Sequence, residues 1–244
     1  MTQPGARSDG RRPDELRPAR LVPDFTETAL ASVLAEMGRT RVLCTVSEAA
    51  GVPRWMEGSG RGWVTAEYAM LPGATQPRGE REVTRGRPSG RSQEIQRLIG
   101  RSLRAVVDLE ALGPRTLWVD CDVLQADGGT RCASVTGAWT ALALALARLR
   151  ARGALASDPL RDAVAAVSAG IVGGRALVDL AYDEDSRAEV DLNLVATGSG
   201  RLVEVQATGE RATFSPGELE AMNALALRGI ARLVELQRAA IASP

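Results

Sequence analysis

Two aspartates late in the sequence have the spacing of a shared binding site. From Ala188 onward apolar and polar residues alternate, which is typical of a β-strand with one buried face. Because residues two apart in a strand share a face, Glu189 and Asp191 are expected to project together. Asp185 lies six residues before Asp191, and this even offset places it on the same side if the strand extends back or folds over as a turn.

These neighbouring carboxylates repel one another unless a cation or an arginine lies between them. Two interpretations therefore stay open: an acidic hairpin neutralised by solvent or by Arg187, and a site for a hard divalent cation. The sequence has no histidine, and its three cysteines (Cys44, Cys121 and Cys132) lack metal-ligand spacing. If a metal binds, oxygen ligands alone favour Mg²⁺ or Mn²⁺ over zinc.

A glycine turn within the stretch 118–139 forms the second candidate site. An apolar, β-branched run typical of a strand ends at Gly128 and Gly129. Thr130 is expected to cap a long helix that begins at about Arg131. The unpaired N–H groups and the dipole of a helix start attract anions, and the dipole disfavours Arg131 there unless an anion binds beside it. A plain glycine turn with a threonine cap explains the spacing as well, and the pattern matches neither the P-loop nor the dinucleotide fingerprint.

Composition restricts the chemistry further. Without histidine, proton transfer has to use carboxylates, a tyrosine or the substrate, and serine–histidine or cysteine–histidine catalysis within one chain is excluded. The net charge is zero, but residues 78–104 hold eight arginines and three glutamates, whereas residues 183–191 hold five acids and one arginine. This segregation suits a polyanion held against a metal, although surface salt bridges give the same composition.

The elements that position these residues follow from periodicity. Alternation predicts a hairpin that turns at residues 37–39 and further strands over 63–71, 163–172, 176–181 and 202–207. Helical spacing predicts an apolar-striped helix from residue 89 to about 108, the helix after the glycine turn, and a terminal helix that starts with a capping box at Ser215 and Glu218.

Several motifs, in one order over nearly the whole chain, carry a family resemblance: DGRRPDELRP, GWVTAEYAMLP, SGRSQEIQRLIGRSLRAVVD, QADGGTR followed by an S-x-T-G helix, and YDEDSRAEVDLN. They resemble the ribonuclease PH family, phosphate-dependent 3′ exoribonucleases related to polynucleotide phosphorylase and to exosome ring subunits. The resemblance implies an α+β fold in which two related β–α modules, with mixed sheets packed with helices, form a single domain over residues 1–244.

The resemblance also assigns roles at the two candidate sites. Asp185 and Asp191 match the paired catalytic aspartates of the family, which are thought to hold a divalent metal. Inorganic phosphate, the co-substrate, is expected to bind at four positions that match the phosphate site of the family: Arg91, Gly129, Thr130 and Arg131.

The arginine-rich connection 72–90 has no periodicity, and a long connection of this kind is usually functional or disordered. In the family the corresponding loop contributes arginines to an RNA channel and to subunit contacts. Arg78 and Arg81 stand at matching positions and are expected to bind RNA. Gly73 replaces a usual family arginine, a departure that bears on RNA affinity or ring assembly and not on the chemistry.

Other arginines have two interpretations. The polar arm of about residues 1–20 carries Arg11, Arg12 and Arg17, which either touch RNA or a partner subunit or lie in solvent. On the first long helix, a second stripe is either a solvated basic face or a surface for RNA or a subunit interface; it comprises Arg97, Arg101 and Arg104.

The function implied by the resemblance is a phosphate-dependent 3′-to-5′ exoribonuclease, or tRNA nucleotidyltransferase, that removes the 3′-terminal nucleotides of tRNA precursors as nucleoside 5′-diphosphates. Family members form homohexamers, as trimers of dimers. One alternative is a non-catalytic RNA-binding ring subunit of an exosome-like assembly, which would lack the carboxylates or the phosphate-binding arginines. Another is a small-molecule kinase, which would need a different glycine-loop spacing and ATP.

The bulk features suggest where the protein works. The odd number of cysteines, in strand or helix patterns, favours free buried thiols in a reducing compartment, so a cytoplasmic location is expected. No secretory segment and no uncharged run long enough to span a membrane is recognised, so no membrane partner is expected.

Overall fold

The first half of the chain builds a five-stranded mixed sheet. In the computed structural model, which describes residues 7–242 apart from the side chains of Val83 and Arg85, the strands are β1 (Ala19–Pro23), β2 (Ala31–Met37), β3 (Thr40–Ala50), β4 (Trp63–Met70) and β5 (Arg115–Gln125). Their order is β1-β2-β3-β5-β4; β4 runs parallel to β5 and the other pairs are antiparallel. The predicted hairpin at residues 37–39 is confirmed, and Gly38 makes its turn with a φ of 58°.

The second half builds an antiparallel sheet of four strands. These are β6 (Val164–Val172), β7 (Arg175–Val178), β8 (Val190–Thr197) and β9 (Leu202–Gly209), in the order β7-β6-β8-β9. Strand β7 is shorter than the predicted 176–181, because Asp179 adopts a positive φ of 52° and ends the pairing. Opposite β6, the register sets Asp191 against Gly170 and Asn193 against Ser168.

Within the described residues, five α-helices accompany the sheets: α1 (Gly90–Arg104), α2 (Leu109–Leu112), α3 (Thr130–Ala151), α4 (Tyr182–Asp185) and α5 (Pro216–Ala242). The predicted apolar stripe of α1 is confirmed by the burial of Ile95, Ile99 and Leu103. The predicted capping box of α5 is confirmed too, since the N–H of Ser215 donates to Glu218 at 2.7 Å and the N–H of Glu218 donates to Ser215 Oγ at 3.3 Å.

Helix α3 is the centre of the core. It packs against β2 and β3 of the first sheet and against β6 of the second, while α5 packs against β6, β7 and β8. Close approach to the first sheet requires Gly137, where an added Cβ would lie 2.7 Å from Ala35 Cβ. By length and hydropathy alone α3 resembles a membrane-spanning helix, but 83% of its most apolar 18-residue segment is buried inside the fold. It therefore serves as a core helix.

The N-terminal arm packs on its own chain, which corrects the expectation for two of its arginines. Arg17 is 4% exposed and pairs with Asp179, and the side chain of Arg11 is 7% exposed. Of the three arginines considered, Arg12, whose side chain is 70% exposed, is the one that lies in solvent. The predicted arm also includes residues 1–6, which lie outside the described part of the chain.

The second arginine stripe is only partly a solvated face. Arg101 pairs with Glu204 at 2.8 Å. Arg104 lies 4.4 Å from the centre of the Trp63 ring and donates to the carbonyl of Val64. Two of the three stripe arginines thus join α1 to the sheets. All three cysteines are free and buried, as predicted.

The mixed α+β fold with two helix-covered sheets confirms the expected fold class. Each half supplies a sheet and a long helix packed against it. The carboxyl end of β5, the start of α3 and the start of β8 meet where the two halves face each other, and the candidate site lies there.

Candidate active site

A small polar cleft of about 60 Å³ contains all the residues predicted to bind phosphate or a metal. Helices α1 and α3 each present their first turn to it, and β8 and α4 each present an aspartate. The lining residues are Arg91, Gly129, Thr130, Arg131, Ser168, Asp185, Asp191 and Asn193. The cleft therefore joins positive charge from the first half of the chain to negative charge from the second.

The glycine turn has the left-handed backbone that its sequence suggests, but its cap differs from the prediction. Gly128 and Gly129 have φ values of 76° and 67°, and Gly129 is the N-cap of α3. Thr130 is instead the first residue of the helix, and its Oγ1 accepts a hydrogen bond of 2.9 Å from the hydroxyl of Tyr68. The helix begins one residue early because glycine takes the left-handed conformation that threonine avoids. The first N–H groups of α3 are left without intrahelical partners and face the cleft.

Arg131 is oriented by two residues that the sequence did not single out. Its Nη1 donates to Gln206 Oε1 at 2.6 Å and to Glu94 Oε1 at 3.3 Å, and Gln206 Nε2 donates to the same Glu94 oxygen at 3.2 Å. The negative charge of Glu94 offsets a cation at a helix start. Glu94 lies three residues after Arg91 in α1, a spacing visible in the sequence, whereas Gln206 is on β9 and has no local signal.

Asp191 carries the most perturbed acid of the site. Burial and the nearby charge of Asp185 raise the pKa of Asp191 from 3.8 to about 6, against the opposing effects of Arg131 and of a hydrogen bond from Asn193. Asn193 Nδ2 donates to Asp191 Oδ2 at 3.1 Å, while Asp191 Oδ1 is buried and has no hydrogen-bond partner within residues 7–242. An unpaired buried carboxylate oxygen is costly unless a cation meets it.

Asp185 reaches the cleft on a helical turn and not on an extension of the strand. It is the last residue of the short helix α4, and it lies on the open, solvent-exposed side of the cluster. Desolvation by the surrounding protein raises the pKa of Asp185, and the positive charges of Arg91, Arg131 and Arg17 oppose that rise. The strand extension and the acidic hairpin considered from the sequence are therefore wrong, whereas the alternative that the chain folds over as a turn agrees with the single helical turn of α4.

The other acids of this segment have separate partners. Glu189 does not line the cleft; its Oε1 accepts from the N–H of Gly173 at 3.1 Å. Arg187 pairs with Asp183 at 3.5 Å, so it does not neutralise the two cleft aspartates. Glu184 is buried and forms a salt bridge of 2.7 Å with Arg7. The acids that cluster in the sequence at residues 183–191 thus lie in different environments in the structure.

The two cleft aspartates fit a divalent cation of the Mg²⁺ type. The described residues contain no group of three or more His, Cys, Asp or Glu side chains arranged as a metal site. Mg²⁺ keeps several waters and binds through one or two carboxylates together with substrate phosphates, so a pair of carboxylates is the expected donor set. The unpaired Oδ1 of Asp191 and its repulsion by Asp185 are consistent with this ligand set.

Ser168 and Asn193 complete the cleft and were not assigned roles from the sequence. Asn193 shares the predicted strand face with Asp191, so alternation placed it correctly without indicating what it does. Ser168 lies opposite Asn193 on β6, and its Oγ accepts from the N–H of Leu180 at 3.1 Å. Only the register between strands brings Ser168 to the site, and that register is not readable from its own segment.

The predicted RNA-binding arginines lie outside the cleft. Arg78 is exposed and its Nη1 donates to the carbonyl of Gly79 at 3.0 Å. Arg81 lines a separate cavity of about 300 Å³ that also includes Glu67 and Asp122. A side chain added at Gly73 would meet nothing within 4 Å, so packing does not require glycine there.

A larger cavity of about 490 Å³ opens directly from the cleft and shares Arg91, Thr130 and Asp185 with it. Its lining includes Arg39 and Tyr182, and Tyr182 is 63% exposed. An anion site next to a roomy, partly aromatic cavity is suited to a phosphorylated ligand with an attached ring system.

Family models match both halves of the chain. The 3′ exoribonuclease family, domain 1, matches residues 15–147, and domain 2 of the same family matches residues 162–229. The first match contains the glycine turn and the second contains both cleft aspartates. The cleft is thus built from both matched parts.

Named relatives match nearly the full length. Ribonuclease PH of Mycobacterium leprae (strain TN) is 59% identical over 239 residues, covering 98% of this chain and 92% of its own length. Ribonuclease PH of Mycolicibacterium gilvum (strain PYR-GCK) is 57% identical with the same coverage. The similarity to these relatives therefore extends over nearly the whole chain and is not limited to one motif.

Solved structures share the same architecture, and exosome structures are among them. The Archaeoglobus fulgidus exosome with RNA bound to the active site superposes with a TM-score of 0.81 at 27% identity, covering 95% of this chain and 92% of that one. Rice (Oryza sativa) Rrp46 superposes with a TM-score of 0.78 at 19% identity, covering 96% and 100%, which is a likeness of fold alone. Because the family models cover both halves and the relatives cover nearly all of the chain, the resemblance to ribonuclease PH is confirmed, and this chain belongs to the 3′ exoribonuclease family.

Proposed function

We propose that this chain is a phosphate-dependent 3′-to-5′ exoribonuclease, a tRNA nucleotidyltransferase that removes the 3′-terminal nucleotides of tRNA precursors as nucleoside 5′-diphosphates. The observation that carries the proposal is the cleft in which Arg91, Arg131 and the start of α3 face Asp185 and Asp191. Inorganic phosphate is the co-substrate of this reaction, and RNA is its substrate.

The phosphate side of the cleft would place the attacking anion. Arg91, Arg131 and the free N–H groups of Gly129 and Thr130 supply charge-assisted hydrogen bonds, each worth about 1.5–3 kcal/mol. A phosphate oxygen attacks the phosphorus of the terminal phosphodiester, and the bond from that phosphorus to the 3′ oxygen of the preceding nucleotide breaks. The proton of hydrogenphosphate ends on the departing 3′ oxygen, so the products are a nucleoside 5′-diphosphate and an RNA one nucleotide shorter.

Asp185 and Asp191 would hold a divalent cation, Mg²⁺ or Mn²⁺, on the other side of the reacting groups. When bound, the ion supplies charge neutralisation at the phosphoryl oxygens. Asn193 holds Asp191 by donating to Oδ2, while Oδ1 is buried and has no hydrogen-bond partner among residues 7–242. The lack of histidine suits this division of work, because phosphate needs placement more than deprotonation.

The adjoining cavity of about 490 Å³ would receive the 3′-terminal nucleoside, with Tyr182 available for stacking on the base. Arg78 and Arg81 would contact the RNA further from its end, and a homohexamer built as a trimer of dimers would bring such loops together around a channel. Likeness to exosome ring structures supports an oligomer. Free buried thiols support a cytoplasmic location.

A non-catalytic RNA-binding ring subunit is the alternative function. Such a subunit needs the scaffold and the basic loop but neither a phosphate site nor the paired aspartates. This chain retains both sets of side chains in one cleft, which favours the enzyme.

The decisive experiment is incubation of the protein with a short 3′-tailed RNA, with and without orthophosphate, followed by separation of the released nucleotides. Release of nucleoside diphosphates that depends on orthophosphate is expected, and Asp191→Asn should abolish it while RNA binding is retained. Release of monophosphates, or binding without release, would contradict the proposal. Arg78→Gln with Arg81→Gln should raise the KM for RNA and leave the KM for phosphate unchanged.

A further inference from the structure

Arg17 joins the N-terminal arm to the second half of the chain through a buried carboxylate. Its Nε and Nη2 donate to Asp179 Oδ2 and Oδ1 at 3.1 and 2.6 Å, and its backbone N–H donates to Oδ2 at 2.7 Å. Both side chains are more than nine-tenths buried. Burial alone would lower the pKa of Arg17, but the charge and hydrogen bonds of Asp179 raise it, so the guanidinium stays charged.

The same guanidinium reaches the glycine turn. Arg17 Nη1 donates to the carbonyl of Asp127 at 2.5 Å. On another side of the turn, Thr40 Oγ1 donates to the carbonyl of Gly128 at 2.7 Å and accepts from the N–H of Asp127 at 2.9 Å. Three polar backbone atoms of the turn are therefore fixed by side chains from outside it.

The turn also lies directly against the segment that leads to Asp185. A Cβ added at Gly128 would come within 2.7 Å of the carbonyl oxygen of Leu180, the residue that follows Asp179. A Cβ added at Gly129 would come within 2.9 Å of Arg17 Nη2. Asp179 itself adopts a positive φ, and its N–H donates to the carbonyl of Ser168 at 2.6 Å. Arg17, Asp179 and Thr40 thus form one set of contacts, the bracket, that joins the two halves of the cleft.

We propose that Arg17, Asp179 and Thr40 are positioning residues that hold the phosphate-binding turn in register with the carboxylate side of the cleft. They touch neither phosphate nor RNA; they fix the backbone from which Gly129, Thr130 and Arg131 bind the anion. Donors held in place before the anion arrives cost no reorganisation on binding, so the bracket contributes to phosphate affinity and to alignment with the RNA end. This inference rests on the proposed function.

The mildest test is Thr40→Val, which keeps the shape of a buried side chain and removes its hydrogen bonds to the turn. Thr140→Val is the matched control, because Thr140 is equally buried and its hydroxyl donates within α3 to the carbonyl of Thr136. Phosphate binding is measured by titration calorimetry on the intact protein without RNA, and the KM values for phosphate and for RNA are measured in turnover. Thr40→Val should weaken phosphate binding about tenfold, which corresponds to about 1.4 kcal/mol, and leave the KM for RNA unchanged. Thr140→Val should alter neither quantity.

The arginine side of the bracket is tested by Arg17→Met, Asp179→Asn and the double variant. Arg150→Met is the control: it removes an exposed ion pair with Asp158, about 28 Å from Arg131 along α3. Because both single variants break the same bracket, their effects on phosphate affinity should be non-additive, whereas Arg150→Met should have none. If Arg17→Met does not fold, Thr40→Val decides the matter alone.

The outcomes separate the inference from the function beneath it. Wild-type protein that binds phosphate but releases no diphosphate would contradict the proposed function and leave the bracket testable by calorimetry. Unchanged phosphate affinity in Thr40→Val, or a loss equal to that in Thr140→Val, would overturn the bracket even if the wild type degrades RNA. A fall in melting temperature without a change in phosphate affinity would show that the contacts only stabilise the fold.

Discussion

Arg131 at the start of α3 and Gln206 on β9 form a hydrogen bond of 2.6 Å between the two halves of the molecule. The bond uses Nη1, as does the contact with Glu94, and among the described residues Nε and Nη2 of Arg131 make no hydrogen bond. A guanidinium held at one nitrogen is pre-oriented for an anion at the others.

Gln206→Ala and Glu94→Gln should therefore differ in their effect on phosphate affinity. Gln206→Ala removes an orienting bond worth about 0.5–1.5 kcal/mol, so the KM for phosphate should rise about two- to tenfold. Glu94→Gln keeps a hydrogen-bond acceptor but removes a negative charge near the anion, so the KM should stay equal or fall slightly, because Glu94 is partly exposed and screened. Steady-state kinetics at fixed RNA measure both, and a rise of equal size in the two variants would contradict the orienting role.

The buried charge of Asp191 should make the metal-free protein less stable at neutral pH than a variant with an uncharged side chain at this position. Burial and Asp185 raise its folded pKa to about 6 from 3.8, so the cost is fully present above about pH 6 and disappears as the pH falls below the unfolded value. A shift of this size corresponds to about 3 kcal/mol as an upper limit. Asp191→Asn should melt several degrees higher than wild type at neutral pH in chelator, and the gain should vanish in acid. Equal melting temperatures at neutral pH would contradict the electrostatic account.

Divalent cations should reverse the order of the melting temperatures, so that wild type melts above Asp191→Asn. If Asp185 and Asp191 bind Mg²⁺ or Mn²⁺, the wild type gains stability as the ion is added, by about 2.7 kcal/mol at a hundredfold excess over the dissociation constant. Asp191→Asn should gain little. Glu189→Gln is the matched control, since Glu189 is a nearby acid that accepts a bond from Gly173 and does not line the cleft. Loss of the cation response in the control as well would argue against a site at the two aspartates, and thermal melting measures all three proteins.

The glycine turn allows a test of close packing separate from backbone strain. Gly128→Ala places a Cβ at a φ of 76° and within 2.7 Å of the Leu180 carbonyl, whereas Gly153→Ala has a φ of 72° and open space around the new Cβ. The control should lose about 1–2 kcal/mol from the left-handed conformation alone. Gly128→Ala should lose more and should also weaken phosphate binding. Chemical denaturation measures the difference, and equal losses would mean that the contact with Leu180 yields at no cost.

Local sequence patterns predicted much of the candidate site, whereas the rest depends on contacts between distant parts of the chain. Alternation placed Asp191 and Asn193 on one strand face, and the paired glycines located the turn that is predicted to bind an anion, because both signals lie within a few residues of the chain. The strand extension considered for Asp185 was wrong, because the one-turn helix α4 carries this residue, and Arg7 holds Glu184 of that helix from 177 residues away in the chain.

The expectation for the buried arm arginines was wrong for the same physical reason, because their partners lie far away in the sequence. In the sequence Arg17 is a polar residue between prolines, and no neighbouring residue indicates that it pairs with a carboxylate 162 residues later in the chain. Gln206 and Ser168 enter the site only through strand register, which depends on how whole sheets pair. The family resemblance supplied the roles of the cleft residues, but the contacts that hold those residues in place appear only in the fold.

The departure at Gly73 gives the last prediction. An added side chain there meets nothing within 4 Å, and the position lies in the connection that carries Arg78 and Arg81. Gly73→Arg should therefore leave stability within about 0.5 kcal/mol, as for other open surface positions. It should lower the KM for RNA at low ionic strength, with an advantage that shrinks as salt is added, because the new contact is to phosphate. Gly73→Gln supplies similar bulk without the charge and should not change RNA affinity, and an equal effect of both substitutions would show that this loop acts through shape and not through charge.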